Sequence, residues 1–88
     1  MLKSPGDVNY DIAKRVSDRR KEQKITQKEL SVRANVSYGS IKRFERTGEI
    51  SLSSLIKIAF ALGFEDDFDQ LFAKKGYQSI QEVIDEQS

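Results

Sequence analysis

The stretch TQKELSVRANVSYGSIKRFERTG, residues 26–48, contains the signals that decide the fold. Thr26 begins a helix through a capping box, because its hydroxyl can accept from the Glu29 amide while the Glu29 carboxylate returns to the Thr26 amide. Asn35 ends this helix, since asparagine tolerates the left-handed backbone found at helix ends. Ser37 is then a good N-cap for the next helix. Two short helices joined by a tight turn are therefore predicted.

Further helices are predicted on both sides of this stretch. We expect a first helix over about residues 9–23, with Asp7 or Asn9 as its N-cap, because apolar residues recur there at helical spacing. A fourth helix begins at Ser51 and ends at Gly63; its apolar residues lie on most sides, so we expect it to be the buried helix. The predicted elements are all helical: about 9–23, 26–34, 38–46, 51–62 and 66–73, with a sixth helical turn over 79–84.

The formal net charge of +1 hides a segregation of charge along the chain. Residues 14–46 contain 11 Lys/Arg and 4 Asp/Glu, a net charge of +7. Residues 47–88 contain 3 Lys and 8 Asp/Glu, a net charge of −5. This pattern indicates a basic working face on an otherwise acidic domain, although ordinary charged helix surfaces would give similar counts.

The chain contains no cysteine and no histidine. These two absences remove thiolate chemistry, the commonest general base and the main transition-metal ligands. The acidic residues Asp66, Asp67 and Asp69 are explained by a helix N-terminus as well as by a metal. We therefore expect no enzyme activity, no cofactor and no metal site. Since no apolar signal region or membrane-spanning run is visible, we expect a soluble cytoplasmic protein.

The inner positions of residues 26–48 match two helices packed at a corner. Leu30 and Ala34 would face inward from the first of them, and Val36 would fill the corner. Ile41 and Phe44 would then pack the second helix against the domain. Two short helices joined by three residues, the second amphipathic and basic, have the geometry of a helix-turn-helix.

These residues resemble those of the Cro/repressor-type (XRE) helix-turn-helix family, over residues 16–63. The family commonly has TQ-x-x-L-A, which reads TQKELS here, and its ending Leu-x-x-Ile-Ala-x-x-Leu-Gly is matched within SLSSLIKIAFALG, residues 51–63. Ser31 replaces the usual alanine and Asn35 replaces the usual glycine. Both replacements are physically compatible with the helix-turn-helix geometry. The resemblance implies an all-α, compact five-helix repressor-like DNA-binding domain whose third helix lies in the major groove.

The chain then divides into three parts. We predict an N-terminal tail at residues 1–8, the helix-turn-helix DNA-binding domain at residues 9–74, and a short C-terminal helical extension at residues 75–88. Phe68, Leu71 and Phe72 are expected to complete the core, with a dimer interface as the alternative. The apolar residues of the extension are Tyr77, Ile80, Val83 and Ile84, which could fold back on the domain or contact a partner.

The resemblance also implies which residues contact DNA. Gln27 should bind a phosphate at the start of its helix, where the helix dipole favours an anion. Arg43 is the best candidate base reader, because its forked guanidinium matches the paired acceptors of guanine. The complete predicted set is Gln27, Lys28, Ser37, Tyr38, Gly39, Lys42, Arg43 and Arg46.

Two further features depend on the same comparison. Gly39 lacks a side chain, so the helix could approach base edges closely there; the alternative is that Gly39 is merely tolerated and contacts nothing. In members of the family the residues at the positions of Arg20 and Glu45 form a salt bridge between the first and third helices. These two residues are therefore expected to be a structural ion pair and not DNA contacts.

The resulting functional prediction is a sequence-specific DNA-binding transcriptional regulator, most simply a repressor, that reads the major groove with helix 38–46. We expect a homodimer on a near-palindromic double-stranded operator. The alternative is the antitoxin of a toxin–antitoxin pair, whose acidic segment at residues 64–87 would contact a toxin. A pure protein-interaction module is a third possibility, against which the basic residues Lys42, Arg43 and Arg46 argue.

Overall fold

The computed structural model describes residues 3–76, which form four α-helices and one 3-10 helix. Their bounds are α1 Pro5–Glu22, α2 Gln27–Ala34, α3 Tyr38–Thr47, α4 Leu52–Leu62 and the 3-10 helix Glu65–Asp69. No strand occurs within the described stretch. Helix α1 packs against α3, and α2 packs against both α3 and α4. The all-α prediction is confirmed.

Each α-helix begins at a hydroxyl residue whose side chain accepts a backbone hydrogen bond from the first turn. These N-caps are Ser4, Thr26, Ser37 and Ser51. The Thr26 hydroxyl accepts from the Glu29 amide at 3.0 Å, and the Glu29 carboxylate accepts from the Thr26 amide at 3.0 Å. The predicted capping box is therefore confirmed, as is the left-handed Asn35 (φ 55°) that ends α2.

Helix α1 begins earlier than predicted, at Pro5 and not at about residue 9. Its N-cap is Ser4, so the assignment of this role to Asp7 or Asn9 was wrong. Ser4 Oγ accepts from the Asp7 amide at 3.1 Å, and the Asp7 carboxylate accepts from the Ser4 amide at 3.1 Å. Pro5 suits the first helical position because its φ is already helical and it has no N–H to satisfy. The proline was interpreted as part of a tail, although it marks a helix start.

One continuous core lies where the helices meet. It contains residues from every α-helix, and its members are Ala13, Ile25, Leu30, Ala34, Val36, Ile41, Phe44, Ile58 and Leu62. The inward positions predicted for α2, the corner and α3 are all in this cluster. Helix α4 differs from the prediction, because only one side of it is buried: Leu52 and Phe60 are 62% and 64% exposed. Its apolar character thus exceeds what the described core covers.

The region after α4 also differs from the prediction. The helix expected over residues 66–73 is a 3-10 helix, Glu65–Asp69, followed by turns. Leu71 and Phe72 are 54% and 95% exposed, so they do not complete the core, whereas Phe68 is half-buried. The helical turn predicted over residues 79–84 lies outside the described residues, and so does nearly all of the predicted extension, residues 75–88.

Glycines end both α3 and α4, but they are needed for different reasons. Gly48 and Gly63 have φ of +83° and +81°, in the left-handed region that side chains disfavour. A Cβ added at Gly63 would meet nothing within 4 Å, whereas one added at Gly48 would lie 2.7 Å from the backbone carbonyl carbon of Asn9. Gly48 therefore also permits the close approach of α1 to the end of α3.

The two glycines provide a matched test of this close approach. Gly63→Ala should lower the free energy of unfolding by about 1 kcal/mol, the cost of left-handed backbone alone. Gly48→Ala should lower it by clearly more, because the backbone of α1 must also move. Urea unfolding of both variants measures the difference. Equal losses of unfolding free energy would mean that the close approach of Asn9 adds nothing to the cost of a side chain at Gly48.

Candidate nucleic-acid interface

Helix α3 has one buried side and one exposed side. Ile41 and Phe44, which are 0% and 1% exposed, anchor it to the core. The helical repeat of 3.6 residues places Gly39, Arg43 and Arg46 in a row on the opposite side, at spacings of four and three. All three residues are exposed. The outward side of α3 therefore presents a bare backbone position followed by two guanidinium groups.

The structure brings most of the predicted DNA-contacting residues to this region. The exposed members of the set are Lys28, Ser37, Tyr38, Gly39, Lys42, Arg43 and Arg46, whereas Gln27 is half-buried. Six of the eight belong to α3 or its N-cap, and the other two lie in the first turn of α2. Because α2 packs against α3, these two groups occupy neighbouring elements.

Tyr38 and Lys42 interact one helical turn apart. The Lys42 Nζ lies 4.9 Å from the centroid of the Tyr38 ring, within the range of a cation–π contact. Tyr38 is 44% exposed, so its hydroxyl and ring edge remain accessible. The contact restrains a positive charge near the start of α3.

Arg43 is paired with a residue that sequence reasoning did not identify. Its Nη2 donates to Oε2 of Glu49, and both side chains are more than half exposed. Glu49 directly follows Gly48, the left-handed residue that ends α3. Only the spacing of a charged residue just past a helix-ending glycine could have suggested this pair.

Arg20 and Glu45 form a two-pronged ion pair between α1 and α3. Arg20 Nε and Nη2 donate to the two carboxylate oxygens of Glu45, each at 2.8 Å. Arg20 Nη1 also donates to the Ile25 carbonyl at 2.8 Å. The two side chains are 10% and 8% exposed. This placement leaves neither group on the outward side of α3.

Gln27 is connected to the same carboxylate. Its Nε2 donates to Glu45 Oε1 at 3.0 Å, although the sequence predicted a phosphate contact for this side chain. A primary amide nitrogen carries a second N–H, which remains able to donate to another acceptor. Glu45 thus fixes the position of Gln27 at the start of α2, and the phosphate contact stays a prediction.

Residues 16–68, more than half of the chain, match the family model described as helix-turn-helix. The chain belongs to the helix-turn-helix family. The match includes α2, the turn at residues 35–37 and α3, and it agrees with the Cro/repressor-type resemblance. No curated protein matches the chain. The family is one of DNA-binding regulators, and α3 is the second helix of its helix-turn-helix.

A second surface of this helix-turn-helix protein is apolar. An open groove of about 470 Å³ lies between α1 and α4 and is bounded by the 3-10 helix. Val16, Leu55, Phe64 and Leu71 contribute to its lining, with Arg15 and Arg19 at the α1 side. The 3-10 helix carries several acids, but residues 3–76 hold no group of three His, Cys, Asp or Glu arranged to bind a metal. Nor does any helix in that range have the length and apolar character to cross a membrane.

The environment of Glu45 lowers the pKa of its carboxyl. Burial alone would raise the pKa, but hydrogen bonds from Arg20 and Gln27, together with the charge of Arg20, outweigh burial. The same pairing raises the pKa of Arg20, so both groups stay charged. Because the folded-state pKa of Glu45 lies below its unfolded-state value, the stabilisation is complete at neutral pH and is lost as pH falls through the folded-state pKa.

Glu45→Gln tests this linkage. At pH 7 the substitution should lower the free energy of unfolding by about 3–5 kcal/mol, because it leaves the Arg20 charge buried without its counter-ion. The ordinary pKa of a glutamate side chain is 4.5. As the pH falls below this value, the difference in free energy of unfolding between wild type and variant should become smaller. Urea unfolding across this pH range measures both effects.

Glu22→Gln is the matched control. Glu22 pairs with Arg19 at 2.7 Å, but these side chains are 61% and 42% exposed. Removing this exposed carboxylate should cost less than about 1 kcal/mol at any pH. A similar loss in both variants would show that burial of the Arg20–Glu45 pair has no energetic consequence.

Proposed function

We propose that the protein is a sequence-specific DNA-binding regulator that represses transcription by occupying a promoter. The observation that supports this most directly is the outward side of α3, where Gly39, Arg43 and Arg46 lie opposite the buried Ile41 and Phe44. An α-helix presented in this way fits the width of the major groove. The exposed cations beside it supply charge for phosphate contacts.

The roles within this surface follow from chemistry and position. Arg43 reads a guanine, whose O6 and N7 match two adjacent N–H groups of a guanidinium. Lys42, Arg46 and Lys28 neutralise phosphates, and Gln27 donates its second amide N–H to a phosphate at the start of α2. Most of the affinity then comes from phosphate neutralisation and declines steeply as salt rises.

Two copies of the protein act together on a near-palindromic operator, with recognition helices about 34 Å apart on one face of the duplex. The apolar residues left exposed on α4 and after the 3-10 helix support an additional protein contact. They equally favour the second candidate, an antitoxin that binds a toxin through residues 64–87. Co-purification of a toxin with the chain from its native host would favour the second candidate.

Selection of duplexes from random DNA is the experiment that tests the proposal. The expected result is a recovered motif with two half-sites related by twofold symmetry and separated by about one helical turn. A single recovered half-site would support reading by a monomer. Recovery of no preferred sequence at low salt would refute the proposed function.

Arg43→Ala examines the base-reading role. The variant should lose about 1–3 kcal/mol of binding free energy on the selected operator and should lose its preference at one base pair per half-site. Fluorescence anisotropy with single-base operator variants measures both effects. Lys57→Ala, which removes an exposed cation of α4, is the control and should change affinity little. An equal loss for Arg43→Ala on every sequence would make Arg43 a phosphate contact.

Substitutions at Gly39 separate stability from DNA approach. Gly39 is helical without a positive φ, and an added Cβ would meet nothing within 4 Å, so the fold does not require glycine there. Gly39→Ala should therefore raise the free energy of unfolding by about 0.5–1 kcal/mol. Gly39→Leu should fold as well, yet weaken operator binding at least about tenfold, because its side chain occupies the approach to the bases. Unchanged affinity of a folded Gly39→Leu variant would exclude close approach at this position.

A further inference from the structure

The side chain best placed to read a base is already engaged in the free protein. Arg43 Nη2 donates to the Glu49 carboxylate, and the pair lies in solvent, with side chains 62% and 57% exposed. A guanidinium reads guanine with two adjacent N–H groups. Nη2 has two N–H groups, one on each usable edge of the guanidinium, so the Glu49 carboxylate occupies one of these edges and competes with a guanine for its donors.

Glu49 is held in place by the end of α3. Its backbone N–H donates to Thr47 Oγ1 at 3.1 Å, and Thr47 Oγ1 donates to the Arg43 carbonyl at 2.7 Å. Gly48 turns the chain between Thr47 and Glu49. The carboxylate is therefore delivered to Arg43 by a hydrogen-bonded turn, and its proximity to Arg43 is built into the backbone.

The charge of Glu49 acts in the same direction as its hydrogen bond. A carboxylate beside the DNA-facing side of α3 repels the phosphates that its neighbouring cations attract. Moving Arg43 from this carboxylate to a guanine also exchanges a charged acceptor for neutral ones. Both effects oppose the specific complex.

We infer that Glu49 is an intramolecular competitor that holds one donor edge of Arg43 in the free protein and must release it before that edge can read a base. This inference rests on the proposed function, because it concerns the same α3 surface. Glu49 touches no base in this arrangement; it acts through Arg43 and is a positioning residue. Glu49 therefore lowers the affinity for the operator. Part of the binding free energy that Arg43 gains from the correct base is offset by the loss of the ion pair with Glu49.

The test is a double-mutant cycle on the selected operator at fixed salt. Glu49→Gln should strengthen binding by about two- to fivefold, the range expected for release of one exposed ion pair. In an Arg43→Ala background the same substitution should strengthen binding clearly less, because the competition no longer exists. Glu22→Gln removes one negative charge from the exposed Arg19–Glu22 pair and is the control for net charge.

Each result has a definite reading. Equal gains in the two backgrounds, or a gain no larger than that of Glu22→Gln, would reduce the role of Glu49 to bulk charge and overturn the inference. Weaker binding by Glu49→Gln would overturn it too, since Glu49 would then orient Arg43 productively. In these cases the wild type still prefers its operator, so the proposed function stands.

A measurement without DNA tests the Arg43–Glu49 interaction separately from the proposed function. Nuclear magnetic resonance of the Arg43 guanidinium in the free protein should show slowed rotation of its terminal amino groups, relieved in Glu49→Gln. Identical spectra would overturn the inference regardless of any DNA result. If slowed rotation is present but the wild type prefers no duplex sequence, the proposed function fails and the competitor role fails with it.

Discussion

The architecture depends on a single carboxylate, that of Glu45. It accepts two hydrogen bonds from Arg20 of α1 and one from Gln27 of α2, while its own backbone belongs to α3. Three helices are thus joined at a nearly buried point beside the core. A buried ion pair need not stabilise a fold more than apolar packing would, but its directional bonds specify one relative placement of the helices. Here that placement decides which side of α3 faces outward.

The buried residues of α3 determine which of its other residues face solvent. Ile41 and Phe44 leave the helix only one rotation about its axis that buries both, and Glu45 fixes the same rotation through a polar contact. Once this rotation is set, Gly39, Arg43 and Arg46 must share the opposite side. Buried positions that hold α3 to the core therefore alternate with exposed positions along a helix of ten residues.

The sequence predicted the features that depend on near neighbours. The caps at Thr26, Ser37 and Ser51 each need only the next turn, so the residues beside them were sufficient. Ser4 was missed although its capping box is equally local, because Pro5 was interpreted as a tail residue. The partial exposure of α4 and the exposure of Leu71 and Phe72 were not predictable, since apolar character does not tell which other element covers a side chain. The pairing of Glu49 with Arg43 was missed as well, because it depends on the path of the chain around Gly48.

The turn that closes α3 has a consequence for protein engineering. Gly48 allows the close approach of the Asn9 backbone, and the residue after it, Glu49, pairs with Arg43. The last turn of α3 therefore contributes both to helix packing and to the exposed side of α3. Grafting only the solvent-facing residues of α3 onto another protein would omit this turn. The smallest portable unit therefore extends through residue 49 and requires a host whose first helix passes equally close.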